Sequence, residues 1–145
     1  MIIIAHRGNL NGPSKNENSL DHIGRALKAG FEVEIDVWFK NNFFYLGHDF
    51  PEYRLDHNDI TLLENSKSWV HAKNIYTASE LNKNKKINFF FHENDKMTLT
   101  SKNYIWMFPS SQIFDNAIIV LPEKYNKINL TNAYGICTDY PFKFV

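Results

Sequence analysis

Short apolar runs recur along this chain, and most of them end on, or carry, a histidine or a carboxylate. Ile2-Ile3-Ile4-Ala5 is closed by His6-Arg7-Gly8, and the run from Phe31 to Val37 carries Glu34 and Asp36. Phe43 to Leu46 leads into Gly47-His48-Asp49, and Trp69-Val70-His71-Ala72 into Lys73. Ile87 to Phe91 leads into His92-Glu93, and Tyr134 to Thr138 into Asp139. Tyr104 to Phe108 and Ala117 to Leu121 are two further runs. Bounded β-branched and aromatic runs of this length read as buried strands.

Amphipathic stretches separate these strands. Leu20, Ile23 and Leu27 recur at helical spacing behind a cap at Ser19 or Asn18, and Gly30 stops that helix. Thr61 to Glu64 and Thr77 to Glu80 carry the capping-box pattern and predict two more short helices. Asn41-Asn42 reads as a turn between two strands. Strands alternating with helices indicate an α/β fold with mainly parallel strands. A standard eight-unit barrel takes about 200 residues or more, whereas this chain has 145. The expectation is a reduced or compact TIM-type (β/α) barrel, a single domain over residues 1–145, with its site at the carboxyl ends of the strands.

Composition excludes several other classes. Aromatics make up 15% of the chain, enough for a sizeable core and too many for a disordered chain. Sixteen basic and sixteen acidic residues cancel, so no global charge draws the chain to nucleic acid, and none is expected as a partner. The basic stretch Lys83-Asn84-Lys85-Lys86 reads as a solvated helix end. The single cysteine, Cys137, excludes an internal disulfide and fits a reducing compartment. No secretory signal is evident, and no run approaches the roughly 20 apolar residues of a spanning helix. The expectation is a cytoplasmic protein without a stable membrane anchor. A reduced barrel leaves strand edges uncovered, so a homodimer that covers them is one assembly open to it.

The spacing Glu34-x-Asp36 puts both carboxylates on one strand face, opposite Val33, Ile35 and Val37. Two carboxylates held this close repel unless a cation or a shared proton compensates, and a hard divalent cation does so naturally. Alone, such a pair also fits a strand whose polar face meets water. The order of the pieces carries more. His6-Arg7-Gly8 is followed by Glu17-Asn18-Ser19, then by Gly30-Phe31-Glu32-Val33-Glu34-Ile35-Asp36-Val37, then by His48-Asp49 and finally by Thr138-Asp139-Tyr140-Pro141. This ordered set resembles the glycerophosphodiester phosphodiesterase family, within the phosphatidylinositol-specific phospholipase C-like superfamily. The resemblance is dense over residues 1–49 and clear again over 135–141. The stretch from Thr98 to Pro109 is similar to a short uncharacterised branch of that superfamily.

The resemblance implies a barrel fold and metal-dependent cleavage of a small-molecule phosphodiester. It implies that His6 and His48 are the general base and acid, and that Glu34 and Asp36 are metal ligands. It implies that Arg7 meets the phosphate, as does Lys73, and that Glu17 lies at the mouth of the site. At 71–73 the family's Glu-x-Lys is replaced by His71-Ala72-Lys73. As a ligand, His71 would move the preferred cation from Mg²⁺ or Ca²⁺ toward Mn²⁺ or another transition metal. Trp106 fits either core packing or an apolar wall for the leaving group. His92, Glu93 and Asp95 fit substrate contacts or a polar exit from a strand. Asp139 is in place to orient a catalytic group or to cap a turn. Attack by water gives a phosphomonoester, and attack by a substrate hydroxyl gives a cyclic phosphate as a lyase would. The alternative is a non-catalytic module that binds a phosphorylated polyol or sugar.

Overall fold

A computed structural model describes residues 1–145. Its elements run β1 (Ile2–Ala5), α1 (Leu20–Lys28), β2 (Glu32–Lys40), β3 (Phe43–Leu46), β4 (Tyr53–Arg54) and α2 (Ile60–Leu63), then β5 (Ser68–Ala72) and α3 (Ile75–Leu81). The second half holds β6 (Phe89–Phe90), β7 (Met97–Leu99), β8 (Ile105–Met107), β9 (Ala117–Val120) and β10 (Gly135–Thr138), with no α-helix. All ten strands join in one curled sheet. Parallel pairs link them in the order β6-β5-β2-β1-β10-β9-β8. β3 returns antiparallel on the outer half of β2, β4 lies antiparallel on β3, and β7 lies antiparallel on β8.

The expected TIM-type barrel of alternating (β/α) units is therefore wrong. The molecule is a mixed, half-barrel curl with three short helices. The reason lies in the connections. A helical crossover between parallel strands takes about a dozen residues or more, and only residues 108–116 separate β8 from β9. The longer link from β9 to β10 makes one 3-10 turn at Pro122–Lys124 and otherwise runs as loop. The capping boxes are also displaced. α3 starts two residues before Thr77, with Asn74 accepting from the Thr77 N–H at 2.8 Å. Thr77 Oγ1 instead accepts the Phe39 N–H, tying α3 to β2. α2 is a single turn. Ser19 caps α1 as expected, accepting the His22 N–H.

Strand register explains why both sheet faces are buried. Glu34 lies beside Trp69 and Asp36 beside His71, while Ile4 lies beside Cys137 and Cys137 beside Val120. These residues share the concave face, where Ile4, Trp69, Phe90, Trp106, Ile118 and Cys137 form an apolar plug. The convex face of β2 and β5 packs Val33, Ile35, Val37, Val70 and Ala72 against Ile23, Ala26, Leu63 and Leu81. Burying each Val, Ile or Leu side chain among them stabilises the fold by about 1.5–3 kcal/mol. At the β2–β3 hairpin Asn41 and Asn42 both have positive φ, 51° and 64°, as a tight two-residue turn requires. No helix is long and apolar enough to cross a membrane.

Candidate active site

The polar groups gather where the parallel strands end. His6, Arg7 and Gly8 form a 3-10 turn on β1, with Arg7 itself left-handed at φ 52°. Gly8 has φ 79°, and a β-carbon there would sit 3.0 Å from the Ile23 backbone nitrogen. Only glycine admits α1 this close, and that approach folds His6 and Arg7 over the strand ends. β1 and β10 run side by side, Ala5 against Thr138, so the residues just beyond each strand meet. His6 Nδ1 lies 2.7 Å from Asp139 Oδ1. Its Nε2 lies 4.0 Å from Glu34 Oε2.

Glu34 and Asp36 lie on the concave face, but they are not solvated. They are 2% and 1% exposed, so the reading of a strand face that meets water fails. Each is held differently. Glu34 Oε2 accepts the Arg7 backbone N–H at 3.0 Å. Asp36 Oδ1 lies 3.0 Å from His71 Nδ1 and 3.1 Å from Lys73 Nζ. Asp36 Oδ2 accepts from Asn18 Nδ2 at 2.9 Å, and Asn18 Oδ1 accepts the Asp36 backbone N–H at 2.9 Å. Arg7 Nε lies 3.2 Å from Asp36 Oδ2 without the alignment of a hydrogen bond, and Arg7 Nη1 donates to Glu17 at 3.0 Å.

This asymmetry separates the two acids. Burial, with the neighbouring Asp36 charge added, pushes the Glu34 carboxyl up to about 7. Burial opposes charge on Asp36 as well, but the His71 hydrogen bond and the Lys73 and Arg7 charges outweigh it and hold Asp36 well below the usual range. Burial also works against a charged His6, yet the Asp139 hydrogen bond and the Glu34 charge leave His6 above its ordinary value. Burial dominates at His71, which lies below it.

His6, Arg7, Glu34, His71, His92 and Asp139 line one side of a cavity of about 360 Å³, with Glu17 and His48 also on its lining. Trp106, Phe108, Val120 and Leu121 form an apolar wall to the same cavity. His48 thus shares the cavity with His6. It is half-exposed and bonded to Asp49 at 2.8 Å. Gly47 aims it: φ is 145°, and a β-carbon would fall 2.2 Å from the Phe50 carbonyl oxygen. Lys73 does not line the cavity and is turned to Asp36. His92 stacks on His71 with ring centroids 4.9 Å apart, while Glu93 and Asp95 are exposed.

Ligand atoms of Glu34, Asp36 and His71 all lie within 4.8 Å of one another. Two carboxylates and one imidazole suit a divalent cation, and the poorly compensated Glu34 charge is what such a cation would relieve. The donor set fits. Two residues have no site role in the sequence reading, although Asn18 appears there as a candidate helix cap and within Glu17-Asn18-Ser19. Asn18 cradles Asp36, and the buried Asn9 donates to both Glu17, at 2.8 Å, and Asp139, at 2.9 Å. His22, which carries no assigned role in the sequence, reaches Asn9 Oδ1 at 3.1 Å. Their only signal is adjacency: Asn9 follows His6-Arg7-Gly8, and Asn18 follows Glu17. No protein-family model matches this chain, and no curated protein or solved structure does either.

Proposed function

We propose that this cavity cleaves phosphodiesters, with His6 as the general base and His48 as the acid that protonates the leaving oxygen. One observation carries the reading: a partly buried imidazole fixed by a carboxylate at Nδ1 has its other nitrogen toward a buried acidic pair. Asp139 takes the Nδ1–H bond, so neutral His6 keeps a lone pair on Nε2 for the proton of an attacking hydroxyl. Glu34, Asp36 and His71 would hold a divalent cation, which when bound supplies positive charge to the phosphate. Asn18 fixes Asp36 from both its backbone and its carboxylate. The wall of Trp106, Phe108, Val120 and Leu121 faces the leaving alcohol and excludes water from that side. The ordered motifs that resemble the glycerophosphodiester phosphodiesterase family support the same chemistry.

The test is cation-dependent turnover of bis(p-nitrophenyl) phosphate. His6→Ala should cost roughly 10²–10⁴-fold in kcat/KM, the usual scale for a general base. His48→Ala should cost less on this activated diester than on an alkyl diester, because a good leaving group needs no acid. Near-parental rates for both variants on an alkyl diester would remove both histidines from the reaction, and a parent that binds phosphate but cleaves no diester would replace cleavage by the reading of a phosphate-binding module.

A further inference from the structure

Two permanently cationic side chains line the cavity, Arg7 and Lys124. Arg7 is committed: its guanidinium reaches Glu17 at 3.0 Å and Asp36 at 3.2 Å. Lys73, the other cation expected at the phosphate, is bound to Asp36 outside the lining. Lys124 has no carboxylate within ion-pair distance, although three acidic residues, Glu17, Glu34 and Asp139, line the same cavity. Its charge helps to hold the Asp139 carboxyl below its ordinary value, but from beyond ion-pair distance, so Lys124 is the one permanently charged cavity cation with no ion pair of its own.

The backbone that presents Lys124 is specific. β9 is followed by Leu121, a non-glycine residue held left-handed at φ 50° and ψ 51°. A residue with a β-carbon adopts that conformation only where its surroundings hold it there. Bonds on both sides keep it in place. The Leu121 N–H donates to the Cys137 carbonyl at 2.7 Å, and the Asp139 N–H donates to Glu123 Oε1 at 2.9 Å. The turn at Pro122–Lys124 is therefore tied to the same Asp139 that holds His6. It sets Leu121 in the apolar wall and Lys124 beside it on one cavity lining.

We propose that Lys124 is the residue that binds an anionic oxygen of the phosphate ester, in the place that Arg7 and Lys73 have given up to Asp36 and Glu17. The inference rests on the reading that the cavity takes phosphate esters. A lysine suits the task because its ammonium is a compact charge on a flexible stem, free to follow the phosphate between ground and transition state. Its bond to phosphate is charge-assisted, and removing it should cost roughly tenfold or more in affinity.

The experiment uses the full chain loaded with Mn²⁺ and compares the parent with Lys124→Met and Lys124→Arg. Inorganic phosphate binding is measured by calorimetry, and bis(p-nitrophenyl) phosphate turnover is measured at fixed ionic strength. Lys124→Met should weaken phosphate binding and raise KM roughly tenfold, and Lys124→Arg should recover most of both. The melting temperature should stay at the parent's value, because Lys124 is exposed and unpaired. A Lys124→Met protein that binds phosphate and cleaves the diester like its parent overturns this inference and leaves the proposed function standing. A parent that neither binds phosphate nor cleaves any diester overturns the proposed function, and this inference with it.

Discussion

His6 and Asp139 stand 133 positions apart in the chain, and their side chains meet at 2.7 Å. The parallel pairing of the first and last strands makes the contact, and it fixes which nitrogen of His6 faces the cavity. Asp139→Asn tests it. An amide still fits the space but no longer favours the Nδ1–H form or the charged ring. The His6 pKa, raised by this partner, should fall, and the acid limb of kcat/KM should move to lower pH. The rate should drop roughly 10²–10⁴-fold. NMR titration of the His6 ring in both proteins reads the shift directly; an unmoved ring would show that Asp139 does not hold it.

Stability should depend on pH through the buried Glu34, Asp36 and Asp139 and the partly buried His6 and His71; His71, lowered below 6.5 by burial, costs stability as pH falls through that value. Folded Glu34 takes its proton near 7, against 4.5 for an ordinary glutamate. Through that window the folded protein binds more protons than the unfolded one, so stability falls as pH rises. His6, raised above 6.5, adds stability that is full below its unfolded value and is lost as pH rises through its folded one. Asp36 and Asp139, both held below 3.8, add stability that is present above that value and is lost toward acid. The metal-free protein should melt highest between about pH 4 and 6.

Glu34→Gln isolates one of those groups. Glutamine can still accept the Arg7 backbone N–H but carries no charge to bury. At pH 8 the variant should melt higher than the metal-free parent by about 4 °C, the shift of roughly 1 kcal/mol in a domain of this size. The gap should narrow as pH falls and close only below about 4.5, where an ordinary glutamate is protonated as well. A variant that melts lower than the parent at pH 8 would mean that the Glu34 charge is compensated by something other than a cation.

The proposed cation site predicts a change of preference at one position. Asp36→Asn and Glu34→Gln should each weaken binding of Mn²⁺ by tenfold or more in a calorimetric titration, a loss of roughly 1.4 kcal/mol. His71→Glu replaces the borderline nitrogen with a hard oxygen and should shift preference toward Mg²⁺ or Ca²⁺. If its ranking of the three cations matches the parent's, His71 is not a ligand.

Gly47→Ala probes how the hairpin aims His48. A methyl group would overlap the Phe50 carbonyl oxygen, and φ of 145° is outside what alanine adopts at low cost. A loss of roughly 1–3 kcal/mol in chemical unfolding is expected. Diester turnover should fall together with stability. Turnover retained at full rate would place His48 outside the reaction.

Much of the site is legible because strand alternation is a strict rule. The spacing Glu34-x-Asp36 puts two carboxylates on one face, and the register of β5 adds His71 to that face. Gly8 and Gly47 mark the two places where a histidine adjoins a backbone that only glycine allows. The helices are less legible. The capping boxes at Thr61 and Thr77 predict two short helices alternating with strands, yet the second half of the chain crosses between strands by loops alone. Whether a crossover coils depends on what it packs against, and no local pattern records that. Asn9 and Asn18 escape notice for a related reason. Asparagine between strand and helix reads as a turn former, and its use as a buried donor shows only once Asp139 and Asp36 are brought beside it.

The neighbouring positions of β1 and β10 also bear on how the chain comes to be folded. A ribosome releases Ile2 to Ala5 long before their outer partners, Gly135 to Thr138. While everything between them is being made, one edge of β1 has no strand to pair with. Ile4, fully buried in the finished fold, then lacks the neighbours that β10 brings. Pairings this distant in sequence form slowly, and an unmatched apolar edge is where nascent chains stick to one another. The contact that sets His6 on Asp139 is thus among the last to form. A partly made chain carries the acidic pair and both histidines, but not the carboxylate that orients the first of them.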